Sequence, residues 1–288
     1  MTPAFISLES RLGMHRPPWK RSSLNVGVEN GSQAVLSPTL LSHYPRSTHS
    51  HYRYTLPEQL NGQDVFEAMI EHSRNASALI QKQLHANRLP IIVGGDHSVS
   101  LASFHAIFSV IDPKKVGIIR IDSHPDLLLR HQSTTGNIHG MWMRPFLDMF
   151  DQETVAAFAR PKLHGSQIIY IGNMDSEPGE INGMQHHKIL QYDRNKLQDS
   201  EVESQIQTMI KQYNHIIVDI DIDAFDQSIA PATGIPAEHG LLLEDIDFLP
   251  NLVRSKLCCL NIVEVNPQLD VEHKTVALAQ TLIRHFIK

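Results

Sequence analysis

Short runs of apolar, mostly β-branched residues recur along the chain, and most end at a glycine or an acidic residue. Runs this continuous, without polar alternation, are typical of parallel strands that are buried on both faces. Between the runs, apolar residues at three- and four-residue spacing predict helices. The predicted strands span residues 90–95, 116–122, 168–172, 215–223 and 259–266, and the predicted helices span 64–87, 98–110, 200–213, 244–256 and 271–287.

Strands that alternate with helices predict an α/β fold, a parallel sheet with helices on both faces. The first 60 residues are harder to interpret: 5–8 could be a first strand, and 25–37 looks like a loop that enters a helix. No linker rich in glycine, serine or proline divides the chain. We therefore expect a single domain over residues 1–288.

Composition excludes several classes of protein. Of the 288 residues, 41% are hydrophobic and 19% are charged, which excludes a disordered or coiled-coil chain. The net charge of −6 offers no basic surface for nucleic acid or an anionic membrane, and no apolar run approaches the ~20 residues of a membrane span. Because the first residues lack a signal-peptide pattern, the expected location is the cytoplasm.

Polar residues follow the predicted strands directly, and in an open parallel sheet ligands bind beyond the carboxyl ends of the strands. Asp122, His124 and Asp126 alternate in sequence, so an extended chain would point all three side chains the same way. Asp221 and Asp223 follow the same rule. The four polar segments are residues 94–98 (GGDHS), 122–126 (DSHPD), 219–223 (DIDID) and 264–267 (EVNP).

Several carboxylates at a buried strand end repel one another, so they must raise their pKa values or hold a cation. An oxygen-rich set without cysteine suits Mn²⁺ or a similar divalent ion. Four carboxylate charges balance two such ions, and ions about 3.5–4 Å apart can share a water and generate hydroxide at neutral pH. The candidate ligands are His97, Asp122, His124, Asp126, Asp221 and Asp223.

These motifs, in this order, resemble the ureohydrolases, the arginase–agmatinase group of binuclear manganese enzymes. The resemblance runs from about Gly94 to the C-terminus, with one earlier similar loop at residues 27–31. It implies a three-layer α/β/α sandwich around an eight-stranded, mainly parallel sheet. The matching segments are GGDHS, D-x-H-x-D, the GNIHGM around His139, the stretch 221–236 (DIDAFDQSIAPATGIP) and VEVNP.

The resemblance also implies roles for the ligands. One ion would be held by His97, Asp122, Asp126 and Asp221, and a second by His124, Asp122, Asp221 and Asp223. A bridging hydroxide would attack the guanidinium carbon of the substrate.

Further roles follow from the same resemblance. Asp126 would also accept a hydrogen bond from the hydroxide. Glu264 would pair with the substrate guanidinium. His139 would shuttle a proton to the leaving amine. Glu177 would lie near the amino group of the substrate.

Three pocket positions bear on the substrate. Leu128 stands where arginases place an asparagine that binds the α-carboxylate, Ile235 replaces a threonine, and Thr135 stands where arginases often have serine. Arg16, Lys20, Arg21, Arg46 and Arg53 are other possible partners for a carboxylate.

The pattern still favours an arginase-type hydrolase that converts arginine to ornithine and urea, using two Mn²⁺ or other divalent ions. The alternatives are an agmatinase or another guanidino-compound ureohydrolase and, in a different class, an inactive regulatory or binding homologue. The expected partners are a small guanidino substrate and further copies of the chain, as a trimer or hexamer, with no nucleic acid or membrane.

Overall fold

The centre of the fold is an eight-stranded sheet in which every neighbouring pair of strands is parallel. A computed structural model of the chain describes residues 1–15, 24–56, 64–160, 163–172 and 175–287. The strands are β1 Thr2–Glu9, β2 Thr48–Arg53, β3 Arg88–Gly94, β4 Val116–Ile121, β5 Ile168–Ile171, β6 Leu190–Tyr192, β7 His215–Asp221 and β8 Leu257–Val263. Their order in the sheet is β2-β1-β3-β8-β7-β4-β5-β6.

Helices cover both faces of this sheet. Successive strand residues such as Ile118 and Ile119 point into two separate apolar cores, one on each face. The helices are α1 Gly31–Val35, α2 Pro38–Ser42, α3 Val65–His85, α4 Ser100–Val110, α5 Glu153–Phe158, α6 Pro178–His187, α7 Ser200–Gln212, α8 Leu249–Val253 and α9 Lys274–Phe286. One core includes residues of α3 and α4, and the other includes residues of α7, α8 and α9, so the expected three-layer sandwich is confirmed.

One predicted helix is wrong, and several elements have no counterpart in the sequence prediction. The stretch 244–256 forms a 3₁₀ turn and then the short α8, because Pro250 has no N–H to donate and is accommodated only at the first turn of a helix. The edge strand β2 alternates half-buried and exposed residues and therefore lacks an apolar run. Strand β6 is only three residues long, and α5 and α6 were also not predicted.

The sheet brings four strand ends together at its centre. Strands β3, β8, β7 and β4 are adjacent, and each is followed by one of the polar segments singled out in the sequence. Among the described residues, no helix combines the length and the apolar character needed to cross a membrane. The fold therefore directs attention to the carboxyl edge of the four central strands.

Candidate metal centre

Turns, not extended strands, gather the aspartates and histidines at this edge, which corrects the expectation from alternation. Strand β4 ends at Ile121, and Asp126 has a φ of +54°, so the segment after Asp122 bends back. Asp122 Oδ1 accepts a hydrogen bond from the backbone N–H of His124 at 2.7 Å. Asp223 likewise lies in a 3₁₀ turn beyond β7, with its N–H donating to Asp221 Oδ1 at 3.0 Å.

The six candidate ligands form two groups of donor atoms. In the His97 group, Nδ1 of His97 lies 3.3 Å from Asp122 Oδ2, 3.2 Å from Asp126 Oδ2 and 2.9 Å from Asp221 Oδ2. In the His124 group, Nδ1 of His124 lies 3.0 Å from Asp223 Oδ2 and 4.0 Å from Asp122 Oδ1. Asp122 thus presents one oxygen to each group. These separations suit a cation with bonds of about 2.1 Å, so the residues fit a divalent metal.

Burial and mutual repulsion shape the charges of these side chains. Burial, together with neighbouring carboxylates, raises the pKa values of Asp122 and Asp221. Burial alone would lower the pKa of His97, but Asp219 and Asp122 raise it to about 9. Burial also opposes protonation of His124, yet the carboxylate of Asp223 raises its pKa. Protons therefore neutralise the cluster when no other cation does, and metal binding would displace them.

Asp219 and Arg120 are further buried charges behind the two groups. Asp219 Oδ2 lies 2.9 Å from Nε2 of His97, so it holds the ring with Nδ1 turned toward the other carboxylates. Sequence reasoning missed Arg120 as a part of this centre. The available signal was one charged residue within the otherwise apolar strand β4.

Glu264 lies beside the two groups, at the end of β8. Its Oε1 accepts a hydrogen bond from the backbone N–H of His97 at 2.9 Å, and its own φ is +65°. Burial raises the pKa of this carboxyl, and the charges of Asp221 and Asp96 raise it further. A cationic guanidinium in the cleft would offset that unfavourable environment.

His139 lies in the 3₁₀ turn Ile138–Gly140 on the wall of the cleft. Its Nδ1 is 3.3 Å from the carbonyl oxygen of Gly13, and because a carbonyl only accepts, Nδ1 is the donor. Burial lowers the pKa of His139, in contrast to the two histidines among the candidate ligands. A half-buried neutral imidazole at the cleft wall is suited to carry a proton.

The structure brings the proposed substrate-binding residues to the same cleft, which has a volume of about 300 Å³. Leu128 is nearly buried, whereas Ile235 is 51% exposed and Thr135 is exposed. Glu177 is exposed and caps α6, the helix that it precedes. Sequence reasoning missed the buried Glu180, whose pKa burial raises to about 7.

The structure describes two of the five basic residues considered as partners for a substrate carboxylate. Arg16, Lys20 and Arg21 lie outside the residues that the structure describes. Arg53 lies on the edge strand β2, and its Nε is 2.5 Å from Oε2 of Glu9. Arg46 is exposed in the loop after α2.

Comparison with known proteins identifies the family. A model described as the arginase family matches residues 17–288. The chain belongs to the arginase family. The arginase of Emericella nidulans is 25% identical over 291 residues, covering 92% of this chain and 90% of that protein. Family membership therefore extends well before Gly94, where the sequence resemblance alone was thin.

Solved structures agree with the predicted arginase-like fold. The crystal structure of Entamoeba histolytica arginase in complex with L-ornithine has a TM-score of 0.84 at 24% identity, and covers 99% of this chain and 97% of that chain. The agmatine ureohydrolase of Thermoplasma volcanium has a TM-score of 0.73 at 18% identity, covering 99% and 88%. The chain is thus a member of a hydrolase family, and its histidine–aspartate clusters could hold metal.

Proposed function

We propose that this member of the arginase family is a metal-dependent ureohydrolase that releases urea from a guanidino substrate, with arginine as the leading candidate. One observation carries the proposal. Two donor groups share Asp122, and Glu264 lies beside them in one cleft. The first group supports an ion held by His97, Asp122, Asp126 and Asp221, and the second supports an ion held by His124, Asp122, Asp221 and Asp223.

Two Mn²⁺ are the proposed ions, because the donor set is rich in oxygen and contains histidine but no thiolate. When bound, they would supply Lewis-acid activation of a water molecule for attack on the guanidinium carbon. Side chains of the protein would position the substrate and transfer the proton. Asp126 accepts a hydrogen bond from the attacking water, Glu264 holds the guanidinium, and His139 brings a proton to the departing amine.

Arginine is proposed because the family relatives are named arginases. The amino group of the substrate would lie toward Glu177, and the hydroxyl of Thr135 lines the same cleft. A second candidate, a guanidino compound without an α-carboxylate, is favoured by the apolar Leu128 and Ile235 in the same wall. A catalytically inactive homologue that only binds such compounds is the remaining alternative.

We also propose a cytoplasmic homo-oligomer, a trimer or hexamer. Both cysteines are buried free thiols, which is the usual state in a reducing compartment. Light scattering coupled to size-exclusion chromatography would give the number of subunits.

The experiment that tests this function is urea release by the Mn²⁺-loaded protein from arginine, agmatine and shorter guanidino compounds. We expect turnover of at least one of them. Glu264→Gln should nearly abolish turnover of every compound, because it removes the charge that pairs with the guanidinium. Glu203→Gln, on the exposed face of α7, is the matched control and should behave as the unmodified protein. A metal-loaded protein that releases no urea from the panel contradicts the proposal.

A further inference from the structure

Arg120 is a fully buried cation that lies directly behind the proposed metal centre. Its guanidinium packs between the rings of Trp142 and Tyr170, with Cζ at 4.8 and 4.9 Å from the two ring centroids. Nη1 donates to Tyr170 Oη at 2.8 Å and to the carbonyl oxygen of Pro125 at 2.9 Å. Two aromatic faces and these bonds fix the orientation of the guanidinium.

The remaining bonds of Arg120 reach the oxygens of the His97 group. Nη2 donates to Asp126 Oδ2 at 2.9 Å and contacts Asp122 Oδ2, while Nε donates to Asp219 Oδ2 at 3.2 Å. Asp122 Oδ2 and Asp126 Oδ2 are the same two atoms that lie 3.3 and 3.2 Å from His97 Nδ1. Nη2 is itself 3.4 Å from that nitrogen.

The His97 group and the His124 group therefore differ in their distance from a fixed positive charge, although both consist of histidine and aspartate side chains. A divalent ion in the His97 group would have to share two of its oxygens with a fixed positive charge a few ångströms away. The polar contacts of Arg120 reach His97, Asp122, Asp126, Asp219, Tyr170 and Pro125. The ligands specific to the His124 group, which are His124 and Asp223, are outside that set.

We propose that Arg120 makes the two metal sites unequal, so that a divalent ion binds first and tightly in the His124 group, and a second ion binds more weakly in the His97 group. The inference rests on the proposed metal centre. Charge repulsion and competition for the shared oxygens both weaken the second site. In the metal-free protein, the same guanidinium partly neutralises the carboxylates of the His97 group.

The test is Mn²⁺ binding to the full chain, measured by isothermal titration calorimetry with metal analysis and electron paramagnetic resonance. We expect two binding steps whose Kd values differ by about thirtyfold or more. At one equivalent, the spectrum should show isolated Mn²⁺, and a spin-coupled pair should develop only as the second step fills. None of these measurements depends on turnover.

The decisive variant is Arg120→Met, which keeps the apolar stem and removes the charge. The weaker Kd should tighten by about tenfold or more, while the tighter Kd changes little. Asp219 would keep bonds from Ser100 and Asn261 at 2.8 Å each. The double variant Arg120→Met with Asp219→Asn has the same net charge as the unmodified protein. It therefore distinguishes the loss of competition for the shared carboxylate oxygens from a change in total charge. It also replaces the single variant if that variant does not fold.

Arg144→Met is the matched control, because Arg144 is also a buried arginine but pairs with Asp148. It should leave both Kd values unchanged. Equal Kd values in the unmodified protein, or a weaker step that does not tighten in either Arg120 variant, would overturn the inference. Absence of Mn²⁺ binding in the unmodified protein would instead overturn the metal centre of the proposed function, so the two failures are distinguishable.

Discussion

The side-chain amide of Asn25 donates a hydrogen bond from Nδ2 to Oε2 of Glu264 at 2.6 Å, although the two residues are 239 positions apart. Asn266 Nδ2 in turn donates to Asn25 Oδ1 at 2.6 Å. The other carboxylate oxygen of Glu264 accepts the backbone N–H of His97 at 2.9 Å. Segments from both ends of the chain therefore fix the carboxylate that we propose as the guanidinium partner.

Removing this amide should weaken guanidinium binding. Asn25 has a φ of +47°, so Asn25→Gly removes the side chain without straining the backbone. A hydrogen bond to a charged group contributes about 1.5–3 kcal/mol, and we expect kcat/KM for any substrate to fall by roughly 10- to 150-fold, chiefly through KM. Asn87→Gly, at φ +53° in the exposed turn after α3, is the control. Equal kinetics in the two variants would remove Asn25 from the site.

Much of the fold follows from the sequence, because buried parallel strands leave continuous apolar runs. Strands β3, β4, β5, β7 and β8 all lie within or close to the predicted runs. The edge strand β2 could not be found this way, since one of its faces is exposed and its residues are polar. Strand β2 pairs only with β1, and polar, partly exposed residues of this kind are typical of edge strands.

The candidate ligands could be found from the sequence, but the geometry that joins them could not. Asp126 turns into the cluster through a left-handed backbone conformation that no alternation rule predicts. Arg120 and Asn25 were missed for a different reason: their importance comes from partners that are distant in sequence or lie on neighbouring strands. Asp219, Tyr170 and Glu264 become their neighbours only when the sheet forms.

Metal removal should lower thermal stability. Without metal, buried carboxylates remain close together, and an ion present at 100 times its Kd would add about 2.7 kcal/mol to the free energy of unfolding. We expect chelation to lower Tm by roughly 5–10 °C and Mn²⁺ to restore it, measured by differential scanning calorimetry.

Asp221→Asn should lose most of this Mn²⁺-dependent gain, because Asp221 is proposed to bridge both ions. Asp199→Asn keeps the N-terminal cap of α7 and should respond as the unmodified protein does. A Tm that neither the chelator nor Mn²⁺ changes would argue against a metal centre at these residues.

His139 should be neutral at pH 7. Burial disfavours the imidazolium, so its pKa falls below the usual value of about 6.5, and bound divalent ions would lower it further. Carbon-13 NMR of labelled histidine rings should give a midpoint below 6.5 for the signal that disappears in His139→Asn. A midpoint at or above 6.5 would contradict the predicted lowering of the His139 pKa.

The same His139→Asn variant should reduce kcat by roughly 100-fold while Mn²⁺ content stays unchanged, because proton transfer and not metal binding is affected. His85→Asn, at the exposed end of α3, serves as the control for both measurements. Activity of the unmodified protein should increase from acid toward neutral pH, because only deprotonated His139 can accept a proton from the attacking water and then pass it to the departing amine. Full turnover in His139→Asn would exclude the residue from proton transfer.

Substrate choice should depend on the apolar wall of the cleft. Leu128 offers no hydrogen bond to an α-carboxylate, and Ile235 presents a branched hydrocarbon where a hydroxyl would otherwise lie. An unpaired carboxylate there would lose about 1–3 kcal/mol, or roughly 5- to 150-fold in efficiency. We therefore expect a high KM for arginine. Leu128→Asn combined with Ile235→Thr should raise kcat/KM for arginine relative to agmatine.

Two single variants test whether a change in substrate preference comes from the cleft wall and not from altered folding. Ile235→Thr alone changes a half-exposed side chain and should shift the same ratio in the same direction, while Val271→Thr, at a position that is 88% exposed, should not. If the unmodified protein already uses arginine with a low KM, Leu128 and Ile235 do not determine the choice. A cationic partner must then meet the carboxylate, and Arg16, Lys20 and Arg21 are the residues to replace first. In the sequence they lie between Met14 and Leu24, and both of these flanking residues line the cleft.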